Sequence, residues 1–306
     1  MPSQSSRKFK FALLLCGAPV QAVIDKKLAE GSDETIGDYS QIIPRFLYIS
    51  HPDYDPERSR DEFFEVDAYD VRDPERRYPA DDAQYDGLVL SGSASSAVNG
   101  KEEDWVNHLI AWTRDFADKK STPIFGICFG HQILARAFGA QCLRYDDPGK
   151  GWELGTTTIT LQGAGHKLFG QETGTLKIQQ LHRDQVPGKP TSEGWEIWGY
   201  TDNTENQGMV KYRPGSSTYT TPTNIHILTV EGHPEFNKDI LGPVIDSRMQ
   251  NVKDPQTGEL KSGPISEEEG LLGKQKMIVD AEGRKIGSLW WKMLGVEGPG
   301  TQIFSA

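Results

Sequence analysis

The sequence predicts an α/β fold: an open, mainly parallel sheet with helices on both faces, additional antiparallel strands, and a C-terminal helical extension. Three observations predict it. Residues 10–16 (KFALLLC) form a continuous apolar run stopped by Gly17, the pattern of a central strand buried on both faces. Between residues 85 and 139 the pattern runs strand, helix, strand, helix, which builds a parallel sheet. Beyond residue 150 short β-type runs alternate with Gly- and Pro-containing turns.

After the first strand, residues 29–45 are rich in Gly, Asp and Ser and read as a loop with some helix. Residues 46–50 (FLYIS) and 63–69 (FFEVDAY) are strand candidates, and the charged stretch 70–82 reads as a surface connection. Residues 85–90 (YDGLVL) form a strand that runs into SGSASSAVNG. The segment 102–118 predicts a helix, because Trp105, Leu109, Trp112 and Phe116 recur at spacings of three and four. Residues 123–127 (PIFGI) predict a strand, and 129–139 a helix ended by Gly139. Further strands are expected at 152–161, 175–180, 195–201, 207–212 and 225–230, and a helix over 236–250. Residues 251–265 read as a polar loop containing Pro255, Gly258 and Pro264; the tail over 266–296 reads as a helix packing an aromatic end on the domain. With no linker in view, the expectation is one domain over 1–250 and an extension over 251–306 packed on it.

Composition excludes several classes. The 306 residues carry a net charge of -11 without a basic cluster, so no nucleic-acid partner is expected. No apolar run reaches the roughly 18 residues needed to cross a bilayer, so no membrane partner is expected either. The polar N-terminus lacks a signal-type apolar core. The three cysteines, Cys16, Cys128 and Cys142, form no CxxC pair. Neither a disulfide framework nor a metal site is indicated, and a reduced, cytoplasmic setting is expected.

Cys128 lies in G-I-C-F-G-H-Q, residues 126–132, between a predicted strand and a predicted helix. A lone cysteine is more often a small buried hydrophobe. Here glycines flank it at the -2 and +2 positions, as in the nucleophile elbow G-x-S-x-G with Cys replacing Ser. A sharp turn there lifts the side chain above the strand end, and a neighbouring Cβ would clash. The following helix aims its N-terminal dipole at the thiol. Cys16 and Cys142 have no such context.

A cysteine nucleophile needs a base, usually histidine, oriented by a third group. Of seven histidines, His233 is the candidate, in V-E-G-H-P-E-F at the end of an apolar strand, with Glu235 two residues on. In extended backbone that spacing puts both side chains on one face. His131, on the helix after Cys128, and His226, inside a strand, read as packing residues.

The pair of segments G-I-C-F-G-H-Q and E-G-H-P-E resembles the signature of class I glutamine amidotransferases, a flavodoxin-like family with a Cys-His-Glu triad. The resemblance implies Cys128 as nucleophile, His233 as base and Glu235 as its orienter. S-G-S-A-S-S, residues 91–96, resembles the family's oxyanion loop, which implies backbone donors at Gly92 and Ser93, with Phe129 as the other half. L-H-R-D-Q-V, residues 181–186, resembles the segment that holds the glutamine α-groups, which implies substrate contacts near His182, Arg183 and Asp184, together with Gln132. Arg183 replaces a glycine of that segment and adds a cation. G-W-E-L-G, residues 151–155, is similar to a segment of stand-alone relatives that include γ-glutamyl peptidases. The implied reaction is cysteine-dependent hydrolysis of a small-molecule γ-glutamyl amide, with no cofactor. The sequence holds no G-x-x-x-x-G-K loop for a nucleotide. The expected alternatives are a glutaminase subunit delivering ammonia to a separate synthetase, and a silent binding protein of the same fold.

Overall fold

The computed structural model describes residues 7–31, 37–75, 77–100, 103–144, 151–170, 174–216, 218–253 and 260–298. The prolyl-glycyl stretch with Pro255 and Gly258, and the first residues of the N-terminus, lie outside the described residues.

In chain order the elements are β1 (Phe9–Leu15), α1 (Gln21–Ala29), α2 (Tyr39–Ile49), β2 (Phe64–Asp70), β3 (Gly87–Leu90), α3 (Asp104–Lys119), β4 (Ile124–Ile127) and α4 (Phe129–Ala137). Then follow β5 (Leu143–Arg144), β6 (Glu153–Leu161), α5 (Gly165–Phe169), β7 (Thr175–His182), β8 (Asp184–Gln185), β9 (Trp195–Tyr200), β10 (Gly208–Tyr212), β11 (Ile225–Val230) and α6 (Lys238–Met249). The short pair β12 (Val252–Lys253) and β13 (Leu260–Lys261) precedes α7 (Glu267–Lys276) and α8 (Gly283–Met293).

One 9-stranded sheet has the order β2-β1-β3-β4-β11-β10-β9-β6-β7. From β2 to β11 all neighbours run parallel; from β11 through β10, β9, β6 and β7 they alternate. The antiparallel strands therefore continue the parallel sheet rather than forming a separate layer. Alternation along β1 splits the core between the two faces. Phe11 and Leu13 pack with α2, α6 and α8, while Ala12 and Leu14 pack with α3 and α4.

The strand expected at 46–50 is instead the end of α2. Its buried residues are Tyr39, Ile42, Ile43, Pro44, Phe46 and Leu47, and all but Pro44 follow the spacing of three and four that defines one helical face. Pro44 inside the helix obscures this pattern, because proline usually breaks one. Asp38 caps the N-terminus by accepting from the Ser40 amide at 2.7 Å. Asp38→Ala should lower stability by about 1 kcal/mol in urea unfolding, with little change in the slope.

The tail forms two helices rather than one. Gly283 to Met293 carries the aromatic end onto the sheet: Trp290 stacks on Phe125 at 5.6 Å, and Trp291 sits edge-on to Phe9 and Phe11, each at 5.5 Å. The indole N–H of Trp291 donates to the Leu47 carbonyl at 2.8 Å, so this buried polar atom is satisfied and α8 is tied to α2.

Candidate active site

Strands β4 and β11 are parallel neighbours, with Ile127 paired to Val230. Their C-terminal ends therefore release Cys128 and the 231–236 loop side by side, and the Cys128 amide donates to the Val230 carbonyl at 2.8 Å. Sites in open α/β sheets gather at such strand ends.

Cys128 has φ 50° and ψ -105°, and is the one non-glycine residue with positive φ among the described residues. Such backbone is strained for an L-residue and persists where the surroundings enforce it. The flanking glycines permit the turn. A Cβ on Gly126 would lie 2.7 Å from the Gly130 carbonyl oxygen, and one on Gly130 would lie 2.5 Å from that of Leu90. Helix α4 starts at Phe129, whose amide faces the thiol. Burial pushes the Cys128 thiol well above its ordinary value, the carboxylates of Glu231 and Glu235 push it further, and the Phe129 amide and Arg248 oppose them. At neutral pH the sulfur is a thiol that needs a base. Cys16 and Cys142 are wholly buried, with burial pushing Cys16 up to about 12 and Cys142 beyond the usual range. Iodoacetamide should therefore label Cys128, which lines a cleft, well before Cys16 and Cys142 in peptide mapping of the native protein.

His233 Nδ1 lies 2.8 Å from Glu235 Oε1. The extended strand expected for this contact is replaced by a turn. The Phe236 amide donates to the His233 carbonyl at 3.2 Å across Pro234 and Glu235, which folds the carboxylate back onto the ring. The ring is fixed on further sides. Phe236 stacks on it at 4.2 Å and 10°, and Tyr39 stacks in turn on Phe236. A Cβ on Gly92 would come within 2.9 Å of both His233 Cε1 and the Tyr39 hydroxyl, so only glycine lets the 91–96 loop approach.

The cleft above Cys128 holds about 360 Å³, including its open mouth. Ser93, Gln132, His182, Arg183 and Asp184 line it with Cys128, so the structure brings these expected residues together. His233, Glu235, Gly92 and Phe129 are not among its lining residues; Gly92 approaches the His233 ring, and the charge of Glu235 acts on the Cys128 thiol. Asp184 is engaged by Arg144, at 2.6 and 3.0 Å, and by the Ser96 hydroxyl at 2.7 Å. Gln132 donates to Glu231 at 2.9 Å and to the Asp184 carbonyl at 3.3 Å.

Beneath the cleft lies a charge network that motif reasoning missed. His182 is buried with Nε2 3.0 Å from Glu153 and Nδ1 3.5 Å from Glu231. Burial pushes its pKa down, but Glu231 and then Glu153 outweigh burial and raise it to about 9. Glu153 also accepts from Thr201, Thr204 and Gln207 at 2.7, 2.9 and 2.6 Å. Burial pushes Glu153 up, yet His182 and these hydroxyls leave it below its ordinary value. Burial raises Glu231 to about 8 against the pull of His182 and Gln132. Both carboxylates stand inside segments singled out by motif, G-W-E-L-G and V-E-G-H-P-E; the available signal was an acidic residue inside an otherwise apolar strand environment. His131 is buried with Nδ1 2.8 Å from the Thr229 hydroxyl, and burial pushes it down to about 3. His226 is a buried strand residue pushed down to about 4. Among the described residues no group of His, Cys, Asp and Glu could hold a metal ion.

Fold and cleft together define an α/β protein with a cysteine at a strand-to-helix elbow, beside a histidine–carboxylate pair. The Glutamine amidotransferase class-I family model matches residues 58–219, which contain Cys128 and stop short of His233. The chain belongs to the class I glutamine amidotransferase family, whose members are amide-hydrolysing enzymes. It is 30% identical over 212 residues to a glutamine amidotransferase-like protein of Schizosaccharomyces pombe, covering 68% of this chain and 75% of that protein. It is 34% identical over 191 residues to gamma-glutamyl peptidase 5 of Arabidopsis thaliana, covering 61% of this chain and 68% of that protein. Its fold matches the crystal structure of a glutamine amidotransferase from Thermotoga maritima with a TM-score of 0.54 at 15% identity, over 94% of this chain and 99% of that one. No helix among the described residues is long and apolar enough to cross a membrane.

Proposed function

We propose that the protein hydrolyses γ-glutamyl amide bonds through a γ-glutamyl thioester on Cys128. The observation that carries this reading is the Cys128 backbone, held at positive φ where β4 meets α4, next to the loop on which Glu235 grips His233. Glu235 occupies Nδ1, so Nε2 is the nitrogen free to exchange protons. His233 takes the Cys128 proton, and the sulfur attacks the γ-carbonyl carbon. The amides of Phe129 and of Gly92 or Ser93 hold the resulting oxyanion; removing one such donor typically costs about 10²–10³ in rate. His233 then protonates the leaving amine as the C–N bond breaks. Water, deprotonated by His233, attacks the thioester, glutamate leaves, and the thiol regains its proton. The chemistry is complete with the chain's own groups.

The substrate proposed is a γ-glutamyl peptide or conjugate, supported by the likeness to the Arabidopsis peptidase and by the cation that Arg183 adds to the cleft. In this reading the described stretch 260–298 of the extension belongs to the same folded unit, since α8 packs its tryptophans on the sheet. Glutamate release should be assayed from glutamine, γ-glutamyl-cysteinyl-glycine and a γ-glutamyl anilide. Turnover of the peptide above that of glutamine is the expected outcome. Release from glutamine alone would make the protein a glutaminase subunit that supplies ammonia to a separate synthetase. Absence of release from all three would leave a binding protein.

A further inference from the structure

Arg248, on the last turn of α6, lines the Cys128 cleft and stands apart from its neighbours there. Arg144 is matched by Asp184, whereas Arg248 makes no ion pair among the described residues. It is partly buried; its guanidinium lies over the Trp152 ring, 5.3 Å from the centroid, and its charge acts on the Cys128 thiol. A cation withdrawn from water without an anion is unfavourable, so the position calls for an anionic partner. In a chain of net charge -11, the residues lining the cleft include three arginines, Arg144, Arg183 and Arg248, against one carboxylate, Asp184.

The place of Arg248 says which part of a substrate it meets. Trp152 and Arg183 line both the cleft and an adjoining groove of about 990 Å³, open to solvent, whose far wall is Ser262 to Glu269. The Trp152 indole is pinned to that wall by donating to the Pro264 carbonyl at 2.7 Å. The groove's Glu269 is already engaged by the Ser266 hydroxyl and amide at 2.6 and 3.0 Å. The small cleft suits the γ-glutamyl group, and the larger groove adjoins it at Trp152 and Arg183, beside Arg248, as space for the rest of a longer substrate.

We propose that Arg248, seated on Trp152 where cleft and groove join, anchors a carboxylate of the leaving amine, so that the preferred substrates are γ-glutamyl amino acids or peptides with a free C-terminal acid. This rests on the hydrolase reading for its orientation but not for its measurement. In a Cys128→Ala background, binding of γ-glutamyl-cysteinyl-glycine and of its C-terminal carboxamide should be compared by calorimetry. The acid should bind about tenfold more tightly than the amide, as a charge-assisted hydrogen bond provides. Arg248→Met should bring that ratio close to one, and Arg248→Lys should retain part of it. A ratio near one in the parent, no binding of either ligand, or an equal loss for acid and amide in Arg248→Met would overturn the proposal. The last result would place Arg248 at the glutamyl group or the sulfur instead. Glutamate release by the unmodified protein reads the hydrolase function separately. Acid preference without turnover sinks the hydrolase alone, and turnover without acid preference sinks the subsite alone.

Discussion

Replacing Cys128 with alanine should reduce glutamate release from the best γ-glutamyl substrate by at least about 10³-fold, because nucleophile and base act as one unit. The expected change is in kcat, with substrate binding retained, since the side chain removed is small and the cleft walls are other residues. Folding should persist: alanine is apolar and small, although the positive φ at position 128 remains a strain for any L-residue. His233→Ala should lower kcat comparably, because the buried thiol stays protonated without it. Glu235→Gln should cost less than either, since it leaves the ring in place through Phe236 and loses only the carboxylate that orients Nδ1. Circular dichroism of each variant separates a lost reaction from a lost fold.

The second large effect is on stability. Glu153→Gln should destabilise the protein by about 3 kcal/mol at neutral pH in urea unfolding, because it breaks a buried pair and deprives the His182 imidazolium of the carboxylate 3.0 Å from its Nε2. The same network makes wild-type stability depend on pH. His182 is raised to about 9 in the fold, so its contribution is complete below its unfolded value near 6.5 and is lost as pH rises through about 9. Glu231 holds a proton up to about 8 that the unfolded chain releases near 4.5, so it acts in the same direction across that window. Stability should therefore fall from pH 6.5 to 9, and His182→Gln should flatten the slope. A wild-type stability that rises over this interval would contradict the protonation pattern. Because His182 and Gln132 meet Glu231 just before His233, loss of the network should also disturb the catalytic loop, and kcat of Glu153→Gln relative to wild type should fall more at pH 7 than at pH 9.

The parallel half of the sheet was legible because its signals are local. The buried run Phe11–Leu14 of β1 is apolar throughout, and the elbow must carry glycines at 126 and 130, where a Cβ would strike backbone. The residues proposed for chemistry at 128, 233 and 235 were legible for the same reason, since each stands in a segment whose spacing has a steric or hydrogen-bonding cause. The segment 46–50 was not, because Pro44 masked a helical face whose N-cap, Asp38, lies eight residues before Phe46. The turn that folds Glu235 onto His233 was also hidden: a strand end and a turn give the same two-residue spacing. Glu153, His182 and Glu231 come from β6, β7 and the loop after β11, and Arg248 meets Trp152 from α6. Such pairs exist only once the sheet has assembled, so no window of sequence reports them.

Trapping the acyl intermediate tests the central claim most directly. With γ-glutamyl-cysteinyl-glycine as substrate, added hydroxylamine should divert product from glutamate to γ-glutamyl hydroxamate. Acid-quenched digests should carry a glutamyl group on the peptide containing Cys128 and on neither of the other cysteine peptides. Undiminished glutamate release by Cys128→Ala, with no hydroxamate formed by the wild type, would contradict the account.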